Sequence, residues 1–406
     1  MKIFPFALRN VARNASRTFV TISAMAFAGA IMIFFMGLGE GFVYMLERNI
    51  VSMSVGDIQM HAQGYRDDPD LYKRIRNPDE IIATLESEGF HASIRLYGFG
   101  LAASGNTSSG VMLRGTDLSR EKNVTELNRH VMDGKWLDAG DPKGVVIGKK
   151  LAQALNVGIG AELVVVSQAS DGSIANDLYN VRGILKSVTE EIDRGGFLMT
   201  EGAFRELMAL PEGAHEIAVR RKDRVSDLAE ATKRAANIGG ELETLNWRQL
   251  QPVMAKVLDI TWGSFLFMLI IAYFAVGMII LNAMLMSVFE RIREFGIIKA
   301  IGVSPFQLAA LIFTEAMIQA ALAGVLALAI GLPISYYFQK HGLDLSALSS
   351  ETSILGVAFD PIWYSQVTLN SVLQPVVFMF IVVAAAVVYP AIKAAVIKPV
   401  SAIHYT

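Results

Sequence analysis

Four stretches of the chain are long and apolar enough to cross a bilayer. Residues 19–39, 261–289, about 304–337 (interrupted by Glu315) and a run within 361–392 are otherwise nearly free of Asp, Glu, Lys and Arg. A helix needs roughly 20 apolar residues to span about 30 Å of hydrocarbon, so the pattern predicts four transmembrane helices. The first has a basic start and an AFA triplet, as a signal peptide would. Its apolar run continues well past the triplet, however, and reads better as an uncleaved anchor. Before it, Ile3, Phe4, Ala7, Leu8 and Val11 recur at helical spacing with Arg9 and Arg13 off the stripe, the pattern of a short helix lying on the membrane surface.

The pattern changes between the first and second spans. GDIQMHAQG, GVMLRGT, GVVIGKKL, AELVVVSQ and NDLYNVRGILKSV alternate apolar and polar positions between turn residues, as strands do. PDEIIATLESEG, GKKLAQALNVG, EGAFRELMAL and residues 223–239 carry helical spacing instead. The segment 240–260 reads as a helix entering the second span. The expected fold class is therefore an α+β membrane protein with four transmembrane helices and a large mixed α/β extracytoplasmic domain. The expected domains are 1–40 (surface helix and first span), 41–260 (extracytoplasmic domain) and 261–406 (three spans and a short tail).

The placement of Lys and Arg orients these spans. Lys2, Arg9, Arg13 and Arg17 precede the first; Arg291, Arg293 and Lys299 lie between the second and third; Lys393 and Lys398 follow the fourth. If all four helices cross, the three clusters share one side, and the positive-inside rule places that side and both termini in the cytoplasm.

Between the second and third spans, Val288, Ile292 and Phe295 fall within about 60° of one another on a helix, while Glu290, Arg291, Arg293 and Glu294 spread over the remaining face. That describes a short amphipathic helix at the membrane surface. Ser304, Pro305 and Gln307 then combine a serine cap, a first-turn proline and a reciprocal glutamine, marking the start of the third span. Glu315 follows eleven residues after the cap, ~16 Å along a straight helix, where a carboxylate needs a partner. Two roles fit it: a proton carrier, or a structural hydrogen bond to a polar group such as Asn282 or Gln319.

Composition narrows the chemistry. The 406 residues are 53% hydrophobic and 18% charged, with a net charge of -2 and no cysteine. Disulfides and thiolate metal sites are excluded, and nothing points to nucleic acid. The six histidines have no metal-ligand spacing. GVVIGKKL lacks both the length and the hydroxyl of a phosphate loop. GLGEG, residues 37–41, ends a span, where glycines permit close packing.

SVFERIREFGIIKAIGVSPFQLAALIFTEA (287–316) resembles the signature of the permease superfamily that includes the lipoprotein-releasing permeases, the macrolide exporter MacB and the cell-division protein FtsX. YPAIKAAVIKPVSAIHYT (389–406) resembles its closing pattern. GDIQMHAQGY and residues 145–200 look like the extracytoplasmic domain of lipoprotein-releasing permeases. The resemblance implies a non-catalytic subunit of the bacterial inner membrane, paired as a homodimer or heterodimer with a second permease. A separate cytoplasmic ABC ATPase would hold ATP and magnesium, with no cofactor on this chain. Residues 288–298 would be the coupling helix, with Glu290, Arg291, Arg293 and Glu294 contacting the ATPase. The implied work is mechanotransmission on a lipoprotein or another envelope substrate, with a periplasmic or outer-membrane lipoprotein as a further partner. Phe35, Met36 and Phe42 are the expected substrate lining. Two alternatives remain: an ATP-gated signalling or scaffold protein that regulates a periplasmic enzyme or partner, and a membrane sensor that binds no ATPase.

Overall fold

The computed structural model describes residues 3–13, 15–222, 227–344, 353–354, 357–358 and 362–397. Lys2, Lys398, the start of the 223–239 pattern, most of the loop before the fourth span and the end of the closing motif lie outside these. The chain divides into two compact units, drawn from residues 1–44, 259–348 and 361–406 and from residues 45–258 and 349–360.

The first unit holds the apolar helices. The long ones are Ala15–Ile50, Pro252–Glu290, Pro305–His341 and Leu369–Val396; each has a stretch long and apolar enough to cross a membrane. At 1.5 Å per residue the third is ~55 Å long, well beyond the hydrocarbon thickness. The predicted Ser304 cap is present: its Oγ accepts from the Gln307 N–H at 3.2 Å, and Gln307 Oε1 accepts from the Ser304 N–H at 3.2 Å. Small residues set the packing. A Cβ added to Gly29 would lie 2.8 Å from Ala327 Cβ, and one added to Gly331 would lie 3.1 Å from the Ala30 backbone. Close approach of this kind supplies van der Waals contact where lipid offers no hydrophobic drive. Gly331→Val should therefore lower stability by about 1–3 kcal/mol, read as a lower thermal midpoint in lipid nanodiscs; an unchanged midpoint would show that the contact is slack.

The N-terminal helix, Ile3–Arg13, forms as expected, and its apolar stripe is divided between a buried and an exposed part. Ala7, Asn10 and Val11 are buried, whereas Phe4 and Leu8 are exposed. The inward face follows its packing against the third long helix, so Phe4 and Leu8 are left on the outward side.

The second unit is α/β. Ten strands form one sheet: β1 (Ile58–His61), β2 (Phe90–Ser104), β3 (Thr107–Thr116), β4 (Val131–Gly134), β5 (Gly144–Ile147), β6 (Glu162–Gln168), β7 (Ile174–Leu185), β8 (Gly196–Thr200), β9 (Glu216–Arg221) and β10 (Glu243–Asn246). The order is β10-β1-β9-β2-β3-β8-β5-β7-β4, with β6 bridging β2 and β7. Strand β2, at 15 residues, serves two hydrophobic cores. Its first half packs with Ile58, Ile82, Leu85 and Ile217, and its second with Leu113, Leu151, Leu163 and Phe204. The expected helix over 240–260 begins only at Pro252. Residues 243–246 pair with β1 instead, and a short helix, Trp247–Leu250, is closed by its own Asn246–Gln249 capping box.

Candidate functional site

The second long helix ends at Glu290, and a new helix runs from Ile292 to Ala300. The break falls at Arg291, so the expected helix over 288–298 is really the last turn of a span, a kink and a separate element. The expected apolar seam survives it: Val288, Ile292 and Phe295 are all buried. The short helix ends in a turn at Gly302, whose φ of +105° suits glycine.

The kink redistributes the charges. Arg291 points inward, and its Nη1 donates to both carboxylate oxygens of Glu315, at 3.1 and 3.2 Å. Its Nε donates to Glu294 at 3.2 Å, and the guanidinium lies over the Phe295 ring. Glu294 also accepts from Arg13 of the N-terminal helix. Lys299 Nζ donates to the carbonyls of Ala395 and Ile397, each at 2.6 Å, at the end of the fourth long helix. Three polar clamps thus tie the short helix to three other helices. Glu290 and Arg293 are exposed, as are Ile297 and Ile301.

Two expectations need correcting here. Arg291 is not part of an outward polar face, because the kink rotates it into the bundle. Asn282 is not the partner of Glu315; it is exposed, and Gln319 Oε1 makes no hydrogen bond. Glu315, ten residues past Pro305, is met instead by Arg291 at the break after the second long helix. Beside Glu315 is a polar crevice of about 20 Å³ lined by Thr18, Thr21, Ser287 and Gln319, enough for about one water. Sequence reading placed Arg13 and Lys299 in the basic clusters but missed their contacts with Glu294 and with the Ala395 and Ile397 carbonyls. The signal for Lys299 was its position in the last turn of a short helix, where a cation can reach main-chain carbonyls.

The expected lining residues are mainly packing residues. Met36 is fully buried in the core of the helical unit. Phe42 is 7% exposed and packs on Trp363, with centroids 4.4 Å apart. Phe35 makes an edge contact with Phe265. The neighbouring glycines show why the chain closes here: a Cβ on Gly39 would touch the Phe265 ring at 3.0 Å, and one on Gly41 would lie 1.7 Å from the Tyr364 carbonyl oxygen. The reading of GLGEG as a packing motif therefore holds, although Gly37 and Gly41 meet the 364–366 segment rather than another helix.

The α/β unit has a charged centre of its own. Arg95, its side chain 1% exposed, donates to Glu121 at 2.8 and 3.2 Å and to Glu216 at 2.6 Å, and caps the Ser54 carbonyl at 2.8 Å. Arg114 and Thr125 complete the shell of Glu121, and His61 Nε2 lies 3.3 Å from Glu216. Burial opposes the charge on Glu216, but Arg95, with His61 and Arg114, outweighs it and holds the carboxyl down at about 2. His215 is lowered to about 4, first by burial and then by Arg74 and Arg205, while Asp70 and the Leu71 carbonyl oppose the shift. Both folded-state values lie below the unfolded ones, so both groups contribute stability at neutral pH that is lost on acidification. The α/β unit should lose stability between about pH 6.5 and 4 through His215, and further between about 4.5 and 2 through Glu216. The fluorescence of Trp247, which is fully buried, offers a reporter; melts that do not change from pH 7 to pH 4 would contradict this.

Two family models match the chain: the MacB-like periplasmic core domain over residues 18–238, and the FtsX-like permease C-terminal domain over 266–399. The first alone covers more than half of the chain. The chain belongs to the MacB/FtsX-like permease superfamily. An uncharacterized ABC transporter permease of Methanocaldococcus jannaschii, MJ1507, is 23% identical to this permease over 211 residues, covering 50% of each protein. The match thus spans half the length of that relative. Among solved structures, the periplasmic region of MacB from Actinobacillus actinomycetemcomitans aligns at 12% identity and a TM-score of 0.36, covering 50% of this permease and 94% of that chain. The extracellular domain of the noncanonic ABC-type transporter YknZ from Gram-positive bacteria aligns at 14% identity and 0.34, covering 48% and 100%. The permease is accordingly a multi-pass membrane protein with a periplasmic-type domain.

Proposed function

We propose that this permease is the membrane subunit of an ATP-driven transporter, and that a separate ABC ATPase docks on the outward face of the short helix Ile292–Ala300. In this reading the docking end and both termini are cytoplasmic, the membrane is the bacterial inner membrane, and the α/β unit faces the periplasm. Two permeases, identical or not, would share the ATPases, which hold ATP and magnesium. The work is mechanotransmission: closure of the ATPases moves the periplasmic-type domains so that they act on a lipoprotein or another envelope substrate.

The observation that carries the reading is the clamping of the short helix. Arg13–Glu294, Arg291–Glu315 and Lys299 with the Ala395 and Ile397 carbonyls bind it to three other helices. Force applied to its exposed side is therefore delivered to the bundle as a whole. Glu290 and Arg293 supply polar contacts on that side, and Ile297 and Ile301 apolar ones. Replacing Glu290 and Arg293 with alanine should abolish co-purification of the ATPase and permease-stimulated ATP turnover. Unchanged turnover would reject the docking site.

A further inference from the structure

The α/β unit contains a cavity and an exposed sheet face that the coupling argument does not use. The cavity, of about 320 Å³, has Tyr65, Tyr97, Arg114 and Glu216 among its walls, with Arg66 and Glu191 also lining it. Two arginines thus stand against two glutamates, so the wall is close to neutral and offers both donors and acceptors. Arg114 is 2% exposed; it donates from Nη2 to Glu121 at 3.0 Å, while its Nε has no protein partner. A bare anion or cation gains little from such a wall. A head group with its own N–H and C=O groups matches it.

One edge of the cavity is the cross-strand pair Phe99 and Met112. From there an apolar stripe runs across the outward face of the sheet, bordered by Asn176 on β7, which stands opposite Val166. Leu101 follows Phe99 on β2 and stands opposite Val166 on β6; Ala103 stands opposite Val164, which in turn stands opposite Leu178 on β7. Directly opposed residues bring their Cβ atoms to about 5 Å, so these side chains form one surface that begins at the cavity. Phe99 is 63% exposed, Leu101 55%, Leu178 43%, and Val164 and Val166 40% each. Beside Leu101 on β3 lies Gly110, above which there is open space. Outward positions of a solvated antiparallel sheet are ordinarily polar, and an apolar patch joined to a concave polar pocket marks a binding surface.

We propose that the cavity and the sheet face form a single site for an amphiphile, an acylated peptide whose chain lies along Phe99, Leu101, Val166 and Val164 while its amides enter the cavity. The cavity offers donors and acceptors and the stripe offers apolar surface, and an amphiphile supplies the match to both. The inference rests on the transport reading, because it names the class of substrate handled. Its test reads binding alone, so it fails independently of ATPase docking, which co-purification measures.

The probe is an N-palmitoyl tripeptide with a photoreactive diazirine in its acyl chain, added to the full-length permease in phosphatidylcholine nanodiscs, irradiated and mapped by mass spectrometry. Adducts are expected within residues 99–103 and 164–168. Leu101→Asp with Val166→Asp, at exposed positions that leave the cores intact, should reduce them at least tenfold. Tyr97→Phe, which removes a single hydroxyl from the cavity wall, should weaken labelling severalfold. A diazirine palmitate without the peptide should label these strands at least tenfold less. Adducts confined to the membrane helices, labelling indifferent to the aspartates, or equal labelling by the two probes would each overturn the proposal.

Discussion

Replacing Glu315 with alanine should destabilise the permease by about 3–5 kcal/mol, the usual cost of leaving one member of a buried ion pair without its partner. The side chains of Arg291 and Glu315 are 8% and 12% exposed, so the orphaned guanidinium could not regain full hydration. Arg291→Ala should cost about as much through the stranded carboxylate. The informative variant is the double one. Arg291→Met with Glu315→Leu replaces the pair with apolar side chains of similar length and should recover most of the stability, because a paired charge in a dry site gains little over good packing. It should not recover the ATP turnover stimulated by the permease, because the short helix would have lost one of its three clamps. Thermal midpoints and ATPase rates measured on the same nanodisc preparations separate the two effects. If the double variant is as unstable as the singles, the stability comes from the other contacts of Arg291, those with Glu294 and the Phe295 ring, and not from the pair.

The second large effect lies in the α/β unit. Arg95→Met should cost about 3–5 kcal/mol, because it removes the cation shared by two buried carboxylates, leaving Glu121 with Arg114 and Thr125 and Glu216 with His61. The loss should depend on pH in a direction opposite to that of the parent. In the parent, Arg95 keeps Glu216 ionised down to about 2; without it, desolvation raises the carboxyl, and protonation then relieves the strain of burial. The deficit of the variant relative to the parent should therefore shrink as pH falls from 7 toward 4. Trp247 fluorescence during urea unfolding at both pH values would show this, and a deficit independent of pH would mean that Arg95 acts through packing alone.

Much of this arrangement is legible in the chain. The four apolar runs, the Ser304–Gln307 cap and the seam of Val288, Ile292 and Phe295 depend on local spacing and local hydrogen bonds, which a sequence displays directly. What escapes reading depends on where helices stop and on partners distant in sequence. A single straight helix through Glu290 and Phe295 puts Arg291 outside, and one break at that residue puts it inside. Glu315 lies 24 residues from its partner and Arg13 lies 281 from Glu294, so no periodicity connects either pair. Strand β2 shows the same limit: Arg95 stands inside an otherwise apolar run, SIRLYGFG, and only the fold reveals the glutamates that make it affordable. Residues 243–250 had helical spacing, yet pairing with β1 decided their structure, since an edge strand can complete a sheet whatever its own preference.

The central claim is that the outward face of the short helix is the docking surface for an ATPase. The chain has no cysteine, so Ile297→Cys introduces a single thiol on that face, and Asn282→Cys introduces one on the exposed side of the second long helix as a control. Each variant would be expressed in its native membrane, treated with a short thiol-to-amine crosslinker with and without ATP, and its adducts identified by mass spectrometry. The account predicts an adduct with the ATPase from Ile297→Cys whose yield changes on adding ATP, and none from Asn282→Cys. No adduct from Ile297→Cys, or equal adducts from both positions, would contradict it.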